Sequence, residues 1–179
     1  MSGEDFAGWI GRTRQAEETL ELQRAQAMQA VVTDEPEAPL AAGDPLPPLW
    51  HWLYFWEVAH ATQLGYDGHP AKGDFLPPLP LPRRMWAGSR LVFHAPPPLG
   101  RPALKRSTVG SVTTKEGRSG PLGFVTVGHQ LFAGDRLAVE EEHDIVYRAP
   151  PAPGERPRQG EPAPADALWT REVRPDPVP

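Results

Sequence analysis

The stretch LKRSTVGSVTTKEGRSGPLGFVTVGHQLFAGDRLAVEEEHDIVYR, Leu104 to Arg148, decides the fold. It is rich in Val, Thr, Phe and Tyr, residues that suit a pleated, half-buried surface, and it is cut twice by turn signals, EGRSGP and AGD. That punctuation predicts three consecutive strands paired antiparallel, and RLVFHA, Arg90 to Ala95, adds another strand upstream. In the last strand Leu137, Val139, Ile145 and Tyr147 share one parity, and Glu141 and His143 fall on it too. Without a bulge an acid and a histidine therefore point into the core, whereas a bulge between Glu140 and Asp144 would turn both outward. An inward pair should bond each other or the neighbouring strand.

Working toward the N-terminus, RQAEETLELQRAQAMQAVVTD places Ala16, Leu20, Ala27 and Val31 at intervals of four and seven, with Met28 beside them. This predicts a helix over Gln15–Val32 with one apolar stripe, Glu17 and Glu18 in its first turn, and a stop at DEPEAP. One long helix against an antiparallel sheet is an α+β arrangement in which each element buries the other's apolar face. The hot dog fold is the leading expectation.

Between Pro47 and Gly88 the chain gathers four of its six Trp and three of its six His. Trp50, Trp52, Tyr54 and Phe55 in WHWLYF, with Trp86 farther on, are candidates for an apolar pocket wall, since prolines on both sides stiffen the segment; the competing reading is ordinary core. His51, between aromatic neighbours, is a candidate base or a packed core histidine. Asp67 and His69 in YDGHP have the residue types of an acid/base pair, yet a spacing of two in a Gly-Pro turn favours an Asx-capped turn. Arg83 and Arg84 follow the stiff PLPLP stretch and are candidates for a phosphate or carboxylate, or for surface bridges to Asp67 or Asp74. Lys105 and Arg106 are a lesser basic pair of the same kind.

Composition bounds the rest. The 179 residues suit about one domain, and the absence of Cys removes disulfides, thiolate metal sites and a Cys nucleophile, which fits a reducing compartment. No metal site is expected. The acidic opening MSGEDFAGWIG lacks the apolar run of a signal segment, and no stretch reaches the length of a membrane span, so a cytoplasmic protein is expected. A net charge of -5 with scattered signs does not provide the basic face that nucleic-acid binding needs. After Arg148, APPAPGERPRQGEPAPAD holds too little apolar surface to offset ordering, so residues 1–148 read as a domain and 149–179 as a Pro-rich linker or tail leading to a second domain, missing or separate.

Five stretches, PPLWHWLYF, LGYDGHP, GDFLPPLPLPRRMWAGSRL, KEGRSGPLGFVTV and EEEHDIVYR, together resemble the N-terminal half of the MaoC-like acyl-thioester dehydratases, in the group of hydroxyacyl-thioester dehydratase type 2 and the 3-methylfumaryl-CoA (mesaconyl-CoA) hydratases. The resemblance runs from about Trp9 to Arg148. It implies two hot dog domains, the second carrying the catalytic pair in a stretch like FNGHRIHYD, which this sequence lacks. It also implies a CoA or acyl-carrier thioester as substrate with no cofactor, and a second hot dog domain or subunit as partner. No catalytic residue is then expected here, His51, Asp67 and His69 being the fallback, while Trp50, His51, Tyr54, Phe55, Trp86, Arg83 and Arg84 would contact substrate. Two alternatives stay open: a stand-alone thioester-binding or regulatory module, and a self-sufficient hydratase or thioesterase homodimer.

Overall fold

A computed structural model describes residues 6–33, 38–65, 67–117, 120–150, 160, 164–166 and 168–169. Five strands, β1 (Thr13–Thr19), β2 (Arg83–Phe93), β3 (Pro102–Gly117), β4 (Gly120–Ala133) and β5 (Arg136–Arg148), form one antiparallel sheet in the order β1-β3-β4-β5-β2. One α-helix among the described residues, α1 (Leu22–Val32), follows β1. The chain therefore has the hot dog fold, and the three strands expected between Leu104 and Arg148 pair consecutively. The linker reading of Ala149–Asp166 and the tail beyond it lie almost wholly outside the described residues.

The helix expected over Gln15–Val32 is corrected: its first part is β1, and only Leu22–Val32 is helical. Thr13–Thr19 pairs residue for residue with β3, from Thr13 opposite Thr108 to Thr19 opposite Pro102, and this ladder outweighs the helical preference of the Ala and Glu residues. The expected stripe shifts with it. Ala25 is fully buried, while Ala27 is exposed and Val31 is 80% exposed. Gln26 and Gln29 also turn toward the protein, where Gln26 Nε2 donates to the Leu40 carbonyl at 2.7 Å and Gln29 binds Ala38 and Leu40.

The inner face of the sheet carries two apolar clusters. One joins Leu20, Ala25 and Tyr54 to Ala103, Leu131 and Val139. The other joins Phe75, Leu79 and Leu81 to Val109, Val125, Val127 and Tyr147. The PLPLP segment supplies Leu79 and Leu81 to this second cluster, and prolines cannot donate to a neighbour. Their flanking carbonyls are met instead by Lys72, whose ammonium donates to Leu79 O at 2.6 Å and to Leu81 O at 2.9 Å.

Tyr54 is 2% exposed, and its hydroxyl donates to the Glu21 carbonyl at 2.8 Å, tying the WHWLYF segment to the start of α1. Replacing Tyr54 by Ala is expected to cost about 3–5 kcal/mol in urea unfolding, the range for an aromatic removed from a core. A loss below about 1 kcal/mol would show that the ring is not part of the core.

Candidate functional site

Between the two apolar clusters, the inner face carries a band of polar side chains across all five strands. Pairing sets Arg14 opposite Ser107 and Ala16 opposite Lys105, sets Ser107 opposite His129 and His129 opposite Glu141, and sets His143 opposite Ser89. No register shift interrupts β5 against β4 between Val139 and Arg148, so Glu141 and His143 face inward. The shift in this pair lies at Ala138, between Leu137 and Val139.

Glu141 is 6% exposed and is held by three donors from two other elements, the Trp50–Leu53 turn and β2. His51 Nε2 lies 3.3 Å from its carboxylate, Trp52 Nε1 donates at 3.0 Å, and the Ser89 hydroxyl donates at 2.7 Å after itself accepting from Trp86 Nε1 at 3.1 Å. A carboxylate only accepts, so His51 Nε2 carries the proton in this contact. Burial pushes the Glu141 carboxyl up, but the bonds from His51, Trp52 and Ser89 and the nearby His129 outweigh it and hold the group down at about 2. Burial holds His129 down to about 4, aided by the charge of Lys105, and its Nδ1 lies 2.8 Å from Ser107 Oγ. Burial also lowers His143, which sits edge-on to Trp86 and to His129.

These groups open onto a cleft of about 610 Å³. His51, Trp52, Tyr54, Phe55, Trp56, His69, Trp86, Lys105, His129, Glu141 and His143 line it, with Leu131 and Val139 from the first cluster. The aromatic wall is built on constrained backbone. His51 and Trp52 ride on a short 3-10 turn, Trp50–Leu53, and the residues flanking the WHWLY run, Leu49 at φ +72° and Phe55 at φ +61°, lie in the left-handed region that non-glycine residues seldom adopt. Phe55 N donates to the Glu18 carboxylate, which also accepts from Arg24 at 2.6 Å.

Of the residues singled out in the sequence, His51, Trp52, Tyr54, Phe55, His69 and Trp86 line this cleft, while Trp50 packs against the first apolar cluster. Asp67 and His69 form a turn: Asp67 Oδ1 accepts from His69 N at 3.2 Å, and His69 Nδ1 lies 3.1 Å from the Asp67 carbonyl. Burial opposes ionisation of Asp67, but the His69 amide and the Arg84 charge lower its pKa overall. Arg84 lies 3.3 Å from Asp67 Oδ2 and donates to the Pro70 carbonyl, so it serves as the bridge weighed for it; Arg83 forms no ion pair among the described residues. His129 and Ser89 join the site without having been singled out for it, and Lys105, weighed only as a lesser basic candidate, lines it as well. The signal was parity, since His129 alternates with Val125, Val127 and Leu131 as Glu141 does with Val139.

The Glu141 geometry has a pH consequence. Its folded pKa of about 2 lies below the ordinary 4.5, so its stabilisation is present above about pH 4.5 and is lost as pH falls toward 2. That contribution is about 3 kcal/mol, at about 1.4 kcal/mol per pH unit. Between pH 6 and pH 2.5, wild-type stability is expected to fall more steeply than that of Glu141→Gln. Equal acid slopes would contradict the anchoring role.

Comparison with known proteins adds the lineage. Residues 49–179 match the family model of hydroxyacyl-thioester dehydratase type 2. The chain is 50% identical over 178 residues to the mesaconyl-C(4)-CoA hydratase of Chloroflexus aurantiacus, covering 99% of this chain and 63% of that protein. It thus spans less than two thirds of the length of that relative. Among solved structures it is similar to the R-hydratase PhaJ1 of Pseudomonas aeruginosa, at 15% identity and TM-score 0.46 over 86% of this chain and 92% of that one. It is also similar to the C-terminally truncated HadBC (3R)-hydroxyacyl-ACP dehydratase complex of Mycobacterium tuberculosis, at 18% identity and TM-score 0.45 over 76% and 96%. By its matched residues and its extended identity to a hydratase, the chain belongs to the hydroxyacyl-thioester dehydratase type 2 family.

Proposed function

We propose that this chain is the acyl-accommodating, non-catalytic half of an acyl-thioester hydratase or dehydratase, working with a second hot dog domain that carries the acid/base pair. Hydrating an enoyl thioester needs a base that takes a proton from water and an acid that protonates the α-carbon, both with pKa values near the working pH. The observation that carries the reading is the state of Glu141. The one carboxylate of the cleft lining is occupied by three donors and held at about 2, which makes it a counter-ion and a poor base. His129, at about 4, is neutral and a weak base at neutral pH, and Asp67 is engaged in its turn and with Arg84.

The cleft suits an acyl group, being walled by aromatic rings with a few polar groups set among them. The relative's name supports a mesaconyl-C(4)-CoA-like substrate, and its greater length supports a further domain or subunit as partner. Arg83, at the start of β2 and without an ion pair among the described residues, is the proposed contact for a thioester phosphate. No helix among the described residues is long and apolar enough to cross a membrane. The cytoplasmic location expected from the sequence stays part of this proposal.

A second reading is favoured by one observation: the His51–Glu141 pair borders the cleft, as a self-sufficient hydratase or thioesterase would require. Hydration of mesaconyl-C(4)-CoA and crotonyl-CoA separates the two. The chain alone is expected to be inactive and to gain turnover when mixed with or fused to a hot dog domain carrying Asn-Gly-His and His-Tyr-Asp stretches. Turnover by the pure chain that disappears in His51→Ala, Asp67→Ala or His69→Ala would establish the self-sufficient reading instead. Thioester binding with no turnover under either condition would point to a binding module.

A further inference from the structure

Lys105 is the one lysine or arginine in the cleft lining. Its ammonium has no ion pair or hydrogen bond among the described residues, and it lies over the Phe55 ring, 5.4 Å from Nζ to the centroid. The carboxylates whose fields reach it are Glu141, Glu18 and Glu57. Each is engaged elsewhere. Glu141 is held by His51, Trp52 and Ser89; Glu18 accepts from Arg24 and Phe55 N; Glu57 takes both guanidinium nitrogens of Arg14, at 2.9 and 3.0 Å. A partly buried cation beside a wall of rings, with every nearby acid committed, is an anion site.

We propose that Lys105 is the specificity-determining residue of the cleft, its ammonium pairing with a free carboxylate carried by the acyl group of the bound thioester. This rests on reading the cleft as the thioester site. Burial depresses the pKa of Lys105, with Glu141 opposing, so an arriving carboxylate would supply a direct partner in place of the hydration that burial removes. One ammonium between aromatic walls matches one carboxylate. A phosphate dianion would leave a charge uncompensated in the same apolar surroundings, which is costly.

Isothermal titration of the chain with two thioesters tests this. Mesaconyl-C(4)-CoA carries the free carboxylate, whereas crotonyl-CoA presents the same CoA phosphates without it. Wild type is expected to prefer the first by about tenfold or more, the scale of one charge-assisted contact. Lys105→Gln should reduce that ratio of dissociation constants to near one, and Lys105→Arg should keep most of it. Lys105→Met, which preserves the packing of the stem, repeats the measurement if the Gln variant fails to fold. A wild-type ratio near one, or a ratio unchanged in the Gln and Met variants, would overturn the inference while leaving the cleft a thioester site. Binding of neither thioester by wild type would remove that underlying reading and the inference with it.

Discussion

The carboxylate of Glu141 is the point on which the site depends. It stands on β5, in the middle of the sheet's inner face, and takes hydrogen bonds from the 3-10 turn through His51 and Trp52 and from β2 through Ser89. Three elements distant in sequence thus converge on one buried charge. Such an arrangement is stable only when the acceptor is saturated, since a buried carboxylate with partners missing costs several kcal/mol. Removing any one donor therefore disturbs more than its own bond, because the charge that remains is desolvated. The same anchor holds a backbone segment flanked by two left-handed non-glycine residues, Leu49 and Phe55, a conformation that persists only where surrounding contacts over-determine it.

From this anchor the division of the inner face follows. Apolar clusters occupy its two ends, one sealed by Leu20, Ala25 and Tyr54 and the other by Phe75, Leu79 and Leu81. The polar band between them, with His129, Glu141, His143 and Lys105, lines the cleft. Trp52 and Trp86 stand over that cleft at 46% and 59% exposure, their rings edge to face. Exposed aromatic surface beside a concave polar floor suits an acyl thioester, with a partner domain supplying the chemistry on the proposed reading.

Much of this was legible in the sequence because strand alternation is a short-range signal. The parity that set Glu141 and His143 among Val139, Ile145 and Tyr147 holds in the structure, but Leu137 leaves it because the register shifts at Ala138; the consecutive pairing of three strands around EGRSGP and AGD holds too. The N-terminal strand was hidden, since Thr13–Thr19 carries helix-favouring Ala and Glu and becomes a strand through pairing with β3, about ninety residues away. Asp67 and His69 have the residue types of an acid/base pair, but their spacing of two favours a turn, and the bond from His69 N to Asp67 and the Arg84 contact are those of a turn. The isolation of Lys105 was invisible for a similar reason. It depends on Arg14 and Arg24 having claimed Glu57 and Glu18, pairings between residues far apart in the chain or bent together at a strand-to-helix junction.

On the proposed function, the thioester binds along the polar band of the inner face, around Glu141. Amide NMR of the isotope-labelled chain during titration with crotonyl-CoA tests it most directly. Shifts are predicted to concentrate at His51 to Phe55, Trp86, Lys105, His129 and His143. Shifts confined to the outer face, at Arg90, Thr126, Glu140, Glu142 and Asp144, would contradict it.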